Sequence, residues 1–316
     1  MKRFFKLIIS IIFILIVVFL IGSYLFSINK KQVLTDEVRK ETSGQFIQLS
    51  KGTIHYELSG PENSQTVVLI HGFTTPYFVW DNNVEELTNA GFRVLRYDHY
   101  GRGFSDRPDV KYDRDLYDHL LIELLQKLNI QTPVHIVGLS MGGAISVIFA
   151  DRHPEKVSSL SLIAPAGFPI EEPFAIKLAK APIIGDYIMT VLGDRLIIIG
   201  QIKAFVKPET FLDYEEKFKE QMKYKGFNQS LLSTMRYMYM NQLSDVYDRV
   251  GKQNKPVLLI WGNNDQILPF QNNEKVKSAI PHVEFHEIEG AGHNVNYENP
   301  EMVNPILLQF LNKQLG

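Results

Sequence analysis

The chain contains no cysteine among its 316 residues. It can therefore form no disulfide, carry no thiolate nucleophile and build no thiolate metal site. Covalent chemistry, if there is any, must use serine, threonine, lysine or a carboxylate. An excess of charge of one sign is also missing, because 33 Lys and Arg residues face 35 Asp and Glu residues. Without a basic field the chain lacks the usual means of holding a phosphate backbone, so we expect no nucleic-acid partner.

A long apolar run near the N-terminus stands out from this balanced composition. Residues 7–26 contain no charged side chain, and as a helix they would be about 30 Å long, which matches the hydrocarbon core of a bilayer. The basic tail, residues 1–6, favours a cytoplasmic N-terminus. We predict a single-pass transmembrane anchor over 7–26 with the catalytic part on the extracytoplasmic side. A cleaved signal peptide and a helix buried in the protein core are alternative interpretations.

The residues after this run predict an alternating α/β domain. Residues 27–45 are polar and mixed in charge, which is typical of a solvated linker. Of the β-rich runs that follow, the first two alternate between apolar and polar residues, as in an antiparallel hairpin, and the later ones are almost continuously apolar, as in parallel strands covered by helices on both faces. The eight runs are 46–49, 53–58, 66–71, 93–98, 134–139, 157–164, 256–262 and 283–288.

Two helical regions complete the predicted architecture. Leucines spaced four residues apart over 112–130 predict a helix packed on the sheet. Residues 166–244 lack a convincing strand pattern and carry helical patterns instead, so we predict a helical cap inserted between two strands. The predicted core is then 46–165 together with 245–316.

The strongest chemical signal is the sequence VHIVGLSMGG at residues 134–143. An apolar strand stops there and turns directly into an apolar helix. Gly138 and Gly142 flank Ser140 at the positions where a side chain would crowd such a turn. The turn would raise the Ser140 hydroxyl above the sheet at the N-terminus of the helix, where the Met141 N–H favours a developing oxyanion. We predict that Ser140 is a nucleophile.

With this motif, three others make the chain resemble the α/β-hydrolase superfamily over 46–164 and from about residue 255 to the C-terminus. They are HGF at 71–73, DHYGRGFS at 98–105 and WGNNDQILP at 261–269. The resemblance implies an eight-stranded, mostly parallel sheet with helices on both faces. It also implies that Phe73 supplies a second oxyanion N–H group and that Asp265, just past a strand end, is the catalytic acid.

His293 is the best candidate for the general base among nine histidines. It follows the last predicted strand in the glycine-rich sequence GAGHN, and the order Ser140, Asp265, His293 is the one that an α/β-hydrolase fold imposes. His99, which also follows a strand, is a weaker rival. The sequence contains no HExxH motif and no cluster with metal-ligand spacing, so neither a metal nor another cofactor is implied.

These residues predict a serine hydrolase. The apolar N-terminal run and the many apolar side chains of the predicted cap together favour hydrophobic carboxylic esters, so we predict an enzyme similar to carboxylesterases or monoacylglycerol lipases whose substrate is a small ester or a lipid. An alternative is a hydrolase that splits C–C bonds in meta-cleavage products of aromatic rings. That group typically carries Asn before the nucleophile and an aromatic residue after the histidine, where this chain has Leu139 and Asn294. A non-catalytic ligand-binding module on the same fold is a third hypothesis. The sequence leaves the acyl chain length and the oligomeric state open.

Overall fold

The computed structural model of the chain describes residues 2–207 and 212–315, in which eight strands form a single sheet. Its order is β1-β2-β4-β3-β5-β6-β7-β8. β1 pairs with β2, and β2 with β4, antiparallel, and all other pairs are parallel. All eight predicted strands are confirmed: β1 (Gln45–Leu49), β2 (Gly52–Ser59), β3 (Thr66–Ile70), β4 (Arg93–Tyr97), β5 (Val134–Leu139), β6 (Val157–Ile163), β7 (Val257–Gly262) and β8 (Glu284–Ile288).

The central strands are apolar along their whole length because both faces of the sheet are covered. Every residue of β3, β5 and β7 is buried. Successive side chains of a strand point to opposite faces. Accordingly, Val68 and Ile70 of β3 enter one hydrophobic cluster, and Val67 and Leu69 enter the other. The fold is the mostly parallel α/β sheet with helices on both faces that the sequence predicts.

The helices fall into three groups by their position in the structure. An N-terminal pair precedes the sheet, a second group covers its faces, and a third lies in the segment predicted as a cap, whose described residues contain no strand of the sheet. The N-terminal pair is α1 (Lys2–Asn29) and α2 (Asp36–Lys40). The second group is α3 (Asp81–Asn89), α4 (Arg114–Lys127), α5 (Met141–Arg152), α11 (Ser244–Gly251), α12 (Asn272–Ala279), α13 (Val295–Glu298) and α14 (Pro300–Asn312). The third comprises α6 (Phe174–Lys180), α7 (Ile184–Val191), α8 (Gly193–Ile202), α9 (Leu212–Glu220) and α10 (Phe227–Tyr237).

α1 contains the long apolar run and extends beyond it on both sides. Its most apolar window has a mean hydropathy of 3.2, and none of that window is buried. The interpretation as a core helix is therefore wrong, since a core helix would be covered by the rest of the chain. The length and composition of α1 are those of a membrane span, and a signal sequence shares both properties.

The segment predicted as a solvated linker, 27–45, differs from that prediction, because it packs on the rest of the molecule. The Lys31 ammonium lies 2.7 and 2.6 Å from the two carboxylate oxygens of Asp194, at the start of α8, and donates to the Met222 carbonyl at 2.5 Å. Farther along, Arg39 donates to the carboxylate of Asp106. Charged residues in a segment of mixed charge are usually solvated. Here Lys31 and Arg39 are instead paired with carboxylates that lie far away in the chain.

We expect the Asp194→Asn substitution to destabilise the folded chain. Lys31 is 12% exposed at its side chain, and burial lowers its pKa although Asp194 favours the ammonium form. Without the carboxylate a largely buried ammonium group loses its counter-charge, which costs about 1–3 kcal/mol. The measurement is thermal unfolding of the full chain in detergent. Asp245→Asn is the matched control, since the exposed pair of Asp245 with Arg249 is worth roughly 0–1 kcal/mol. Equal melting temperatures in both variants would contradict the expectation.

Candidate active site

Ser140 occupies the sharp turn between β5 and α5. Its backbone has φ 56° and ψ −117°, a conformation that residues other than glycine rarely adopt and that costs on the order of 1–3 kcal/mol. The turn is held by backbone hydrogen bonds. The Ser140 N–H donates to the Ile163 carbonyl at 2.9 Å, and the Ser140 carbonyl accepts from the Ala166 N–H at 3.0 Å. Strain of this kind persists only where the surrounding structure holds it, and it places the hydroxyl at the carboxyl edge of the sheet.

The two flanking glycines make this turn sterically possible. A Cβ atom on Gly142 would lie 2.1 Å from the Ile70 carbonyl oxygen. A Cβ atom on Gly138 would lie 2.3 Å from Ser146 Oγ and 2.5 Å from the Gly142 carbonyl oxygen. Such distances exclude any side chain at either position, because the neighbours at both include backbone atoms that cannot move aside. This packing explains the spacing of glycines around Ser140.

Asp265 and His293 meet in a buried hydrogen bond. Asp265 follows β7, His293 follows β8, and His293 Nδ1 lies 2.7 Å from Asp265 Oδ2. Three further donors reach the carboxylate: the N–H groups of Ile267 (2.8 Å) and Leu268 (3.0 Å) at Oδ1, and Trp261 Nε1 (2.9 Å) at Oδ2. Burial opposes ionisation of Asp265, but His293 and the two backbone N–H groups outweigh burial and hold its pKa below the ordinary value. The carboxylate therefore remains charged and orients the imidazole ring.

Ser140 and His293 line the same cavity of about 540 Å³ beneath α6, α7 and α8. Its remaining lining is mostly aliphatic, and the described residues that line it include no Lys, Arg, Asp or Glu. No hydrogen bond joins Ser140 Oγ to the imidazole among the side chains that the structure describes. Catalytic hydrogen bonds often close only when substrate binds. Of the three residues that the sequence singled out, Ser140 and His293 thus line one cavity, and Asp265 is hydrogen-bonded to the imidazole of His293.

The loop after β3 lies beside the serine. A Cβ atom on Gly72 would lie 3.4 Å from Ser140 Cβ and 3.9 Å from Ser140 Oγ, so the Gly72–Phe73 peptide is next to the hydroxyl. Phe73 lines the cavity, and Met141 is the buried first residue of α5. The two residues proposed from the sequence to bind an oxyanion through backbone N–H groups therefore approach Ser140 from different elements.

Arg102, which was not among the residues predicted to form the site, holds that loop through the Phe73 carbonyl. Its side chain is fully buried. Nε donates to the Phe73 carbonyl at 2.8 Å, while the two terminal nitrogens donate to Ser230 Oγ at 3.2 Å and Thr234 Oγ1 at 2.9 Å on α10. A buried guanidinium needs several acceptors, and here they come from the loop and from the cap. Arg102 stands in the DHYGRGFS motif, but nothing in that motif names its partners.

Residues of the predicted cap also hold the loops of the site. Gln201 of α8 donates to Thr74 Oγ1 at 2.6 Å, and the Ala204 carbonyl just after α8 accepts from the His293 N–H at 3.0 Å. Gln221 donates to the Thr74 carbonyl at 2.9 Å. These contacts, too, were not predictable from the sequence motifs. A polar residue that ends the apolar run LIIIGQ was the available signal for Gln201.

His99, the rival candidate for the base, does not reach the cavity lining. Burial lowers its pKa to about 3, with the Arg102 charge acting in the same direction. The backbone N–H of His99 donates to His71 Nε2 at 2.9 Å, and the centroids of the two rings lie 4.1 Å apart. A neutral, enclosed histidine of this kind supports the loop after β3. Within the described residues, no group of three or more His, Asp or Glu side chains could hold a metal ion.

Comparison with known proteins places the chain in a family. The family model described as serine aminopeptidase, S33, matches residues 61–300. The chain belongs to this family of α/β-hydrolases. A curated relative in Pseudomonas putida, 2-hydroxy-6-oxononadienedioate/2-hydroxy-6-oxononatrienedioate hydrolase 1, is 30% identical over 294 residues, which are 88% of this chain and 99% of the relative.

Other relatives of this α/β-hydrolase carry different descriptions. A putative non-heme chloroperoxidase of Synechocystis sp. is 29% identical over 270 residues, covering 82% of this chain and 94% of the relative. The solved structure of a thermophilic esterase from Thermogutta terrifontis superposes with a TM-score of 0.73 at 24% identity, covering 86% and 99% of the two chains. The likeness to the esterase supports the fold alone. Membership of the family thus makes the chain a hydrolase. It does not determine the substrate, which depends on the cavity beside Ser140.

Proposed function

We propose that the protein is a serine hydrolase that cleaves uncharged, hydrophobic carboxylic esters, in the manner of a carboxylesterase or lipase. The observation that carries the proposal is the cavity of about 540 Å³ that Ser140 and His293 line together with mostly aliphatic side chains. Cavities of this size bury most of a small organic ligand. An aliphatic lining stabilises the acyl or alkyl part of an ester by removing it from water, about 25 cal/mol for each Å².

The proposed mechanism assigns one role to each residue of the site. His293 removes the proton from Ser140 as the hydroxyl attacks the ester carbonyl, and Asp265 stabilises the imidazolium that forms. The N–H groups of Phe73 and Met141 bind the oxyanion of the tetrahedral intermediate. His293 then protonates the departing alcohol. Water, deprotonated by His293, hydrolyses the acyl-enzyme and regenerates the serine.

Hydrolysis of C–C bonds in meta-cleavage products is the second candidate, and the Pseudomonas putida relative favours it. The substrate in that relative's name is a dioate, a molecule with two carboxylates. A buried carboxylate needs a cationic or hydrogen-bonding partner. None of the described side chains that line the cavity is a Lys or an Arg, which favours the uncharged ester for this chain. Leu139 and Asn294, where that group typically has Asn and an aromatic residue, point the same way.

We also propose that α1 anchors the protein in a membrane, with the remainder on the extracytoplasmic side. The support is the uncharged run within α1, the finding that none of its most apolar window is buried, and the basic residues that precede it. The partners of the protein are then a bilayer, through α1, and a small hydrophobic ester or lipid. A protease-protection assay on intact cells tests the orientation.

A chain-length series of esters tests the proposed substrate class. We expect the full chain in detergent to hydrolyse p-nitrophenyl esters, with kcat/KM rising from acetate towards octanoate, because each additional buried methylene contributes about 0.8 kcal/mol. A meta-cleavage dienoate, followed by its loss of absorbance, is the matched alternative substrate. Turnover of the dienoate without turnover of any ester would assign the C–C reaction instead.

A fluorophosphonate probe separates an enzyme from a ligand-binding module. Covalent labelling requires an activated serine nucleophile, so we expect labelling of the full chain. Absence of both labelling and turnover would favour the non-catalytic hypothesis.

A further inference from the structure

We propose that an apolar surface on α6 and the α6–α7 turn is seated in the lipid leaflet that holds α1, so that the cavity opens towards the bilayer. The inference rests on the proposed anchor and deepens the proposed ester hydrolase, because it names lipid-borne esters as the substrates. We define the apolar cap surface as Phe174, Ile176, Ile183 and Ile184.

The contact between α1 and α7 sets the height of this surface relative to a membrane. Ser23 Oγ lies 2.8 Å from the Tyr187 hydroxyl, and the rings of Tyr24 and Tyr187 stack at 6.4 Å. Ser23 and Tyr24 belong to the apolar run 7–26, so α7 contacts α1 inside the proposed span. Tyrosine is typical of the interface between lipid and water. The cap therefore meets the membrane at the level of its interface.

The side chains of the apolar cap surface are largely exposed to solvent and are not covered by other parts of the chain. Ile183 is 83% exposed and Phe174 is 77% exposed, and Ile176 and Ile184 are exposed as well. Ile184 lies three residues before Tyr187 on α7, and residues three apart share one side of a helix. The exposed side chains therefore continue from the contact with α1. Contiguous apolar patches of this kind mark interaction sites.

Ile183 carries a second, independent sign of function. Its φ is 66° and its ψ is −56°, and a β-branched residue in that region is a genuine outlier. Glycine would relieve the strain, and the Ile183 side chain gains almost no contact with the protein in return. Strain maintained for an exposed apolar side chain indicates that the side chain is used outside the folded chain. A lipid leaflet beside α1 supplies the missing contact.

The cavity reaches this same region of the cap. Ile176 of α6 and Leu196 of α8 both line the cavity that contains Ser140, and both are solvent-exposed. Aliphatic side chains thus connect the apolar cap surface with the nucleophile. An ester whose chains lie in the leaflet can pass between α6 and α8 without crossing water, and burial in either place stabilises its chains equally.

The absence of cysteine from the chain makes the test specific. In the full chain, reconstituted in phosphatidylcholine nanodiscs, Ile183→Cys and Phe174→Cys are each labelled with a nitrobenzoxadiazole dye. Gln131→Cys is the control, since residue 131 is exposed before the amino end of β5, at the sheet edge opposite Ser140. We expect doxyl-labelled lipid to quench the dye several-fold more at 174 and 183 than at 131, and aqueous iodide to give the reverse order.

Equal quenching by doxyl lipid at all three positions would overturn the proposal. Protection from iodide without quenching by doxyl lipid, accompanied by disulfide-linked dimers of Ile183→Cys, would assign the surface to a second copy and overturn it as well. The quenching measurement needs no turnover, so docking without esterase activity would refute the proposed function and the ester substrate, and would leave the seating of the apolar cap surface in the leaflet standing.

A kinetic arm tests the route to the cavity. Position 183 is 83% exposed, so an Asp side chain there stays in water and displaces nothing from the core, and Ile183→Asp should fold. We expect KM for an ester dissolved in vesicles to rise about tenfold in Ile183→Asp, while kcat/KM for p-nitrophenyl acetate in water stays unchanged. An unchanged KM for the vesicle-borne ester would show that substrate does not enter through this surface, and would overturn that part of the proposal.

Discussion

Replacing Ser140 with alanine should reduce kcat for ester hydrolysis on the order of 10⁵-fold or more and should abolish labelling by a fluorophosphonate. The reason is that the proposed acyl-enzyme forms on the Ser140 oxygen, and no other hydroxyl occupies the turn between β5 and α5. What survives is the stabilisation provided by the oxyanion-binding N–H groups and by the cavity. Initial rates with p-nitrophenyl octanoate, together with probe labelling on a denaturing gel, measure both effects.

The Ser140→Ala chain should keep its fold, which makes the loss of activity interpretable. Alanine retains the Cβ atom, so the strain at φ 56° is the same in both chains, and the backbone hydrogen bonds of the turn do not use the hydroxyl. Ser158→Ala, on the amino-terminal half of β6, is the matched control, and we expect normal rates from it. Residual activity within tenfold of the original chain would assign the nucleophile to another residue and refute the proposed mechanism.

The strands and the turn at Ser140 were predictable because their signals are local. Continuous apolar runs of five to seven residues are typical of strands with both faces covered, and β5, for example, is buried throughout. The glycines at 138 and 142 reflect contacts within the turn and with the adjacent β3. Signals of this kind need no knowledge of how distant segments meet.

The contacts of the cap were not predictable, because they join residues that lie far apart in sequence. Lys31 and Asp194 are 163 residues apart, and Arg102 reaches Thr234 over 132 residues. A lysine in a segment of mixed charge is usually solvated, so the composition of residues 27–45 favoured a linker. In the structure Lys31 of that segment is instead paired with Asp194 of the cap. Pairing of such groups depends on which surfaces the folded cap brings together, and a single sequence does not record that choice.

The pairing of Asp265 with His293 lies between these cases. Each residue was predictable from the loop after its own strand, since β7 and β8 are neighbours in the sheet and their carboxyl ends lie at the same edge. The complete set of donors to the Asp265 carboxylate was not predictable. Trp261 shares Asp265 Oδ2 with His293. The direction of this indole, near the end of β7, is determined only by the packed structure.

We expect Asp265→Asn to lower kcat by about 10³- to 10⁴-fold. Oδ1 of Asp265 accepts two backbone N–H groups, so in the variant the amide oxygen must face Ile267 and Leu268. The amide NH₂ then faces His293 Nδ1 and the Trp261 N–H. A donor at that position favours the imidazole tautomer with its proton on Nε2, and that tautomer cannot accept the proton of Ser140. Rates with the same octanoate ester measure the loss.

The same substitution should also destabilise the fold in a way that depends on pH. Two donors confront each other where Trp261 meets the new amide, which costs about 1–3 kcal/mol. Because the pKa of Asp265 is lowered from 3.8 in the folded chain, the carboxylate contributes its full stabilisation above about pH 4 and loses it as the pH falls through the lowered value. The difference in the free energy of unfolding should therefore be constant between pH 5 and pH 7 and should narrow in stronger acid.

Asp109→Asn, an exposed carboxylate, is the control. A variant that is less stable but catalyses at the normal rate would leave Asp265 a structural residue and require another partner for His293.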